Sequence, residues 1–184
     1  MSHPVEAPGG PPAPEPVAPI LAPFDQALRL VNRAALAVGM VALVASALVL
    51  TYSVVSRYFF KAATDWQDEA AVFLLVGAIF LCGAYVQSFR GHVGIEAIAS
   101  ILPAGVNRAR TVFVDIVTLL FCTFFAWKSW TLFHEAWVDK QTTSSTWAPP
   151  LAIPYGLMAA GFTLLALQVL LQFLAHFTRS REDD

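Results

Sequence analysis

An all-α integral membrane protein with four transmembrane helices is the fold class that this 184-residue sequence predicts, and three observations predict it. Hydrophobic residues make up 57% of the chain and charged residues only 13%, with a mean hydropathy of +0.62. A soluble domain carries about 25% charged residues, so a water-exposed surface is under-supplied here. Four long apolar runs recur along the chain, and about 20 residues at 1.5 Å rise per residue cross the hydrocarbon layer of a bilayer. Finally, the basic residues favour alternate connections, which orients the spans with both termini inside (N-in/C-in).

The length suits one domain. The net charge of −2 excludes little by itself, but no basic stripe with interleaved aromatics exists, so nucleic acid is not an expected partner. Cys82 and Cys122 both fall inside apolar runs with no CxxC neighbour, and read as small buried hydrophobes rather than a metal or redox pair.

Residues 1–23 hold eight of the twelve prolines together with Gly9 and Gly10, so this tail is expected to be disordered. It lacks the basic-then-apolar order of a signal peptide. Phe24 to Arg33 is a short amphipathic lead-in to the membrane domain, 24–178. The first span is placed at 34–56, free of charge. Within it Ala35, Gly39, Ala42, Ser46 and Ser53 recur at helical spacing, a stripe that allows close approach of another helix, of this chain or of a second protein. The second span is placed at 69–88, where Ala70, Gly77 and Ala84 stand seven apart as a second stripe. Together the two stripes suggest more close-packing surface than four helices need among themselves, and hence a membrane partner.

Between spans 2 and 3, Ile95, Ile98 and Leu102 share one side of a segment too short to cross, and a short interfacial amphipathic helix is expected there. The third span, 111–133, contains Asp115 and, near its far end, Lys128 with Trp127 and Trp130, indoles that favour the membrane boundary. The fourth, 151–177, starts among Pro149, Pro150 and Pro154, as a first helical turn tolerates. Residues 179–184 form a cytoplasmic tail. With the N-terminus inside, seven basic residues lie inside against four outside (Arg57, Lys61, Lys128 and Lys140).

Two groups of residues stand out as candidate partner contacts. Trp66 and Glu69, three apart, share a helix face at the outer start of span 2. They read either as an interfacial anchor with an acid at a helix N-terminus or as a docking point for a basic group. Arg90, His92 and Glu96 follow span 2 and read as a surface helix start or as a subunit contact. Asp115, about one turn from the inner end, reads as a structural ion pair with Arg90, Arg108 or Arg110 rather than a proton relay.

The order of these residues resembles the small membrane subunit (DctQ-type) of the tripartite ATP-independent periplasmic (TRAP) transporters. The likeness runs from Asp25 to Phe177: Arg57-Tyr58-Phe59-Phe60 closing the first span, Trp66-x-x-Glu69 opening the second, Gly83 late within it, Arg90-Gly91-His92-Val93 with Glu96, and Leu102-Pro103. Trp147-Ala148-Pro149-Pro150-Leu151, Gly161-Phe162 and Leu167-Gln168 complete it. Val76 and Gly77 stand near the place of a common Trp, and Ala160 where a proline is frequent.

The resemblance implies a non-enzymatic subunit of the bacterial inner membrane. It would brace a large permease subunit (DctM-type) that carries the substrate and coupling-ion sites, the ion usually being sodium. A periplasmic receptor (DctP-type) would deliver an organic acid or similar solute. No cofactor is expected. The residues agree on their own account, since no span carries the midplane polar groups or breaks of a transport pathway. A membrane haem protein needs histidines paired at matching depth, and His92, His134 and His176 are not. A quinone-linked thiol oxidoreductase needs cysteine pairs in its outer loops, and a small multidrug exporter an acid deep in its first span; both are missing. A membrane scaffold unrelated to solute transport is the remaining alternative.

Overall fold

The computed structural model describes residues 22–62, 64–89 and 104–182, and all four long helices lie within them. They are α1 (Ala22–Val55), α2 (Asp65–Ser88), α3 (Ala104–Val138) and α4 (Ala152–Glu182). Each contains a stretch long and apolar enough to cross a bilayer: Pro23–Phe60, Trp66–Ser88, Val112–Val138 and Ala152–Ala175. In hydrocarbon every backbone amide must be satisfied within the segment, so apolar runs rich in valine still form helices despite their strand propensity. Two helices outrun their apolar stretches: α3, with 35 residues or about 50 Å, begins before Val112, and α4 continues past Ala175. Near the start of α1, Asp25 and Arg29 form an ion pair of 2.6 Å one turn apart.

The helix ends are closed by backbone devices. A π-helical turn, Ser56–Phe60, continues α1 and stops at Lys61, whose φ of 49° is left-handed. Lys140, also at φ 49°, follows α3, and Gln141 N–H donates back to the Ala136 carbonyl at 3.0 Å. That is the long bond of a Schellman cap, which satisfies a carbonyl the helix leaves orphaned. The α3–α4 connection then folds on itself. Thr143 N–H donates to Pro149 O at 3.1 Å and Leu151 N–H to Gln141 O at 3.0 Å, with an isolated antiparallel bridge between Thr142 and Pro150.

In space the helices form a row rather than a closed ring: α1 packs along α2, α2 along α4 and α4 along α3. α1 only grazes α4, and α1 and α3 sit at opposite edges with no packed seam between them. The seams are built from small residues. Along α1, Leu28, Asn32, Ala35, Gly39, Ser46, Ser53 and Ser56 are buried at steps of three, four or seven. Along α3, Asp115, Cys122, Ser129 and Ala136 are buried at every seventh position. Seven-residue spacing of small side chains is the pattern of closely packed, slightly supercoiled membrane helices.

Two glycines mark the tightest contacts. A Cβ on Gly39 would lie 2.5 Å from Cys82 Sγ of α2, and one on Gly161 of α4 would lie 2.5 Å from the Phe80 carbonyl oxygen of α2. A Cβ on Gly77, by contrast, would lie 3.2 Å from the Leu157 side chain of α4. Thus α2 offers one small-residue side to α1, where Ala71 and Ala78 are buried, and another to α4. Of the two stripes read in the sequence, Gly39, Ser46 and Ser53 of the first and Gly77 of the second meet other helices of this chain. The reason is that α2 is central in the row and needs a small-residue face on two sides.

Candidate interaction site at the loop end

The α1–α2 and α3–α4 connections meet at one end of the layer, and there one set of polar side chains converges. Trp66 and Glu69 belong to the first turns of α2, one helical turn apart, so both face the α3–α4 connection. Trp66 is half-exposed and lies edge-on to Trp147, ring centroids 6.4 Å apart. Glu69 Oε2 accepts a hydrogen bond of 2.7 Å from Ser145 Oγ. Ser145 Oγ also lies 3.1 Å from Thr143 Oγ1 and accepts from Ala148 N–H at 3.1 Å. Ala148 sits at φ 46°, so this knot holds a non-glycine residue in the left-handed region. Together Trp66 and Glu69 fasten the α3–α4 connection onto the start of α2.

The neighbouring carboxylate serves α1. Arg57 donates through Nη2 to Asp68 Oδ2 at 3.1 Å and to Thr64 Oγ1 at 2.7 Å, while Ser53 Oγ donates to Asp68 Oδ1 at 3.3 Å. Both charged partners are more than half exposed, so the pair orients the short α1–α2 connection more than it stabilises the fold. Beside it opens a polar groove of about 650 Å³, with Arg57, Lys61, Thr64 and Asp68 on one wall and Ser144, Ser145 and Thr146 on the other. Lys61 forms no ion pair among the described residues. The groove can accept an anionic or hydrogen-bonding group presented from outside the layer.

At the opposite end of the layer the side chains cross-link helices. Asn32 Nδ2 of α1 donates to Gln168 Oε1 of α4 at 2.9 Å. Gln87 Nε2 of α2 donates to Gln172 Oε1 at 3.1 Å, and Gln172 Nε2 returns a bond of 2.9 Å to the Gln87 carbonyl. These amides, buried or partly so, join three helices where an unpaired polar group would be costly. Nearer the loop end Ser46 Oγ donates to the Ala71 carbonyl at 3.1 Å, and across the other seam Trp130 Nε1 donates to Thr163 Oγ1 at 3.1 Å. Asp115 is buried, at 4% exposure, on the face of α3 that carries Cys122 and Ser129.

Of the residues singled out in the sequence, Trp66 and Glu69 come together on one knot. Gly39 and Ser46 lie on the α1–α2 seam with Ala42 half-buried between them, Gly77 lies against α4, and Ala84 is fully buried on α2. Arg90, His92 and Glu96, the expected interfacial helix and the proline-rich tail lie outside the described residues. Sequence reasoning missed Ser145 and the Arg57–Asp68–Thr64 set. The run Thr142-Thr143-Ser144-Ser145-Thr146, polar between two apolar spans, is the signal that could have found the first. It also missed Asn32 and Gln172 as helix cross-links, whose signal is an amide inside or beside an apolar run.

No group of three or more metal-ligating side chains forms among the described residues. Residues 46–179, from the middle of α1 nearly to the end of α4, match the family model described as tripartite ATP-independent periplasmic transporters, DctQ component. Among curated proteins none matches the chain.

Proposed function

Because the chain belongs to the DctQ component family of the tripartite ATP-independent periplasmic transporters, we propose that it braces the large permease subunit of such a transporter. Membership makes it the small membrane component of a transporter and not a member of an enzyme family; its four apolar helices make it a multi-pass membrane protein. The proposal goes further. The chain resides in the bacterial inner membrane with both termini in the cytoplasm, as seven basic residues against four favour. The loop end then faces the periplasm. A DctM-type subunit carries the solute and a coupling ion, sodium, and a DctP-type receptor delivers an organic acid or similar solute.

The observation that carries this reading is the form of the layer. Four uninterrupted apolar helices stand in a row, tied by interhelical hydrogen bonds such as Asn32–Gln168 and Gln87–Gln172. A transport pathway needs broken helices or unengaged polar groups at mid-depth. A plate joined side by side resists shear and offers two broad apolar faces, which suits a static support for a moving neighbour. On this reading Trp66 and Glu69 shape the periplasmic rim, and the Arg57–Lys61 groove meets an acidic group of the receptor. Arg90, His92 and Glu96 would contact the large subunit on the cytoplasmic side.

The test is solute uptake in vesicles holding the large subunit and receptor, with and without this chain. Uptake should require the chain, and the chain alone should move nothing. Uptake by the large subunit and receptor at an undiminished rate without it would overturn the bracing role.

A further inference from the structure

At the loop end, α3, α4 and the connection between them line a slot of about 690 Å³. Its walls are apolar: Phe133 and Trp137 from α3, Ile153, Gly156 and Leu157 from α4. Gly156 lets the Phe133 ring pack close against α4 at one wall of the slot; a Cβ there would lie 3.2 Å from the ring. At its rim stand two polar residues, Thr142 and Lys140. No acidic residue lines the slot, and Lys140 forms no ion pair among the described residues.

Its depth is set by the helices themselves. The apolar stretch of α4 begins at Ala152 and that of α3 ends at Val138, so the slot lies where hydrocarbon gives way to headgroups. Trp137, one residue before the end of that stretch and well exposed, marks the same boundary along α3. The slot opens at the edge of the row, between its last helix and the one helix packed along it among the described residues.

We propose that this slot binds an anionic glycerophospholipid, one acyl chain lying between Phe133 and Leu157 and the phosphate meeting Lys140 and the Thr142 hydroxyl. The volume falls within the range of ligand sites, about 300–1,000 Å³. A lone unpaired ammonium above an apolar slot complements a headgroup of net negative charge over a hydrocarbon tail. Basic pockets between membrane helices recognise anionic lipids through this combination. A zwitterionic headgroup brings an ammonium of its own to a rim that has no carboxylate to receive it. Such a lipid would fill the crevice at the edge helix without a protein side chain and would hold the α3 terminus against α4.

The test uses the full chain with its neighbouring membrane subunit in vesicles of phosphatidylethanolamine and phosphatidylglycerol. A trace of phosphatidylglycerol carries a photoreactive group on its acyl chain. Labelling is expected in the peptide spanning residues 133–157. Lys140→Glu should lower it about fivefold or more, from the roughly 1 kcal/mol that one basic residue contributes to anionic-lipid binding. Ile153→Trp, which fills the slot from an exposed position, should lower it comparably with Lys140 intact. Lys61→Glu, at the other groove, should leave it unchanged, and photoreactive phosphatidylethanolamine should label less. Labelling that neither slot variant changes overturns the proposal. So does a slot that cross-links to the neighbouring subunit in place of lipid.

Discussion

Gly161 and Gly83 are both helical glycines, yet the structure separates them by what their missing side chains face. A Cβ on Gly161 would meet the Phe80 carbonyl carbon at 2.6 Å, backbone that cannot rotate away, whereas one on Gly83 would meet nothing within 4 Å. Gly161→Ala should therefore destabilise the chain by about 1–3 kcal/mol through overpacking. Gly83→Ala should be neutral or slightly stabilising through helix propensity. Thermal unfolding of the two variants in detergent checks the pair. Asn32→Leu should cost about 0.6–2 kcal/mol by removing an interhelical bond, and should leave Gln168 without that donor. At Glu69 the geometry predicts coupling: Glu69→Ala and Ser145→Ala should each loosen the same knot, and the double variant should be little worse than either. A double-mutant cycle on loop proteolysis should read about 0.5–3 kcal/mol of interaction between them. Strictly additive effects would mean that the 2.7 Å bond is idle.

Among the elements, α2 carries the most constraints because it is flanked on both sides. Its side toward α1 and its side toward α4 must each be small, and Ala71, Ala78, Gly77 and Ala84 satisfy both. An amphipathic pattern would not reveal this, since two opposed packing faces leave no single apolar direction. The α3–α4 connection is the other constrained element. Ala148 at φ 46° pays a penalty that glycine avoids, so Ala148→Gly should raise stability by about 0.5–1 kcal/mol, provided the Ala148 N–H still reaches Ser145 Oγ. Aromatic contacts run across the other seams. Phe162 of α4 lies 5.2 Å from Phe80 of α2 and 5.4 Å from Phe125 of α3, ring to ring, so one residue helps to hold three helices in register.

For the molecule as a whole, the row α1–α2–α4–α3 makes a statement that cross-linking can check. In a background with Cys82→Ser, Ser46→Cys paired with Ala71→Cys should join under a short bifunctional reagent, since Ser46 Oγ lies 3.1 Å from the Ala71 carbonyl. Ser46→Cys with the native Cys122 should not join within one molecule, because α1 and α3 stand at opposite edges of the row. Efficient joining of that second pair would indicate a closed bundle. A row also explains why so many large apolar side chains remain uncovered on α1 and α3: an edge helix has one packed side, and the rest faces lipid or a neighbouring subunit.

The number of spans, the stripes of small residues and the family likeness were all legible in the sequence. Each follows from local composition and spacing, which the solvent reads one residue at a time: twenty apolar residues cross a bilayer whatever else they touch. What the small residues pack against was not legible. The same stripe serves a helix of this chain or of another, and only the tertiary structure turned Gly39 toward α2 and Gly77 toward α4. The sequence marked Trp66 and Glu69 but left them free to face outward. The fold instead joined Glu69 to Ser145, 76 residues away, because a hydrogen bond between two connections depends on how the helices beneath them are placed. Composition decides that a chain enters the membrane; packing decides which side chains meet once it is there.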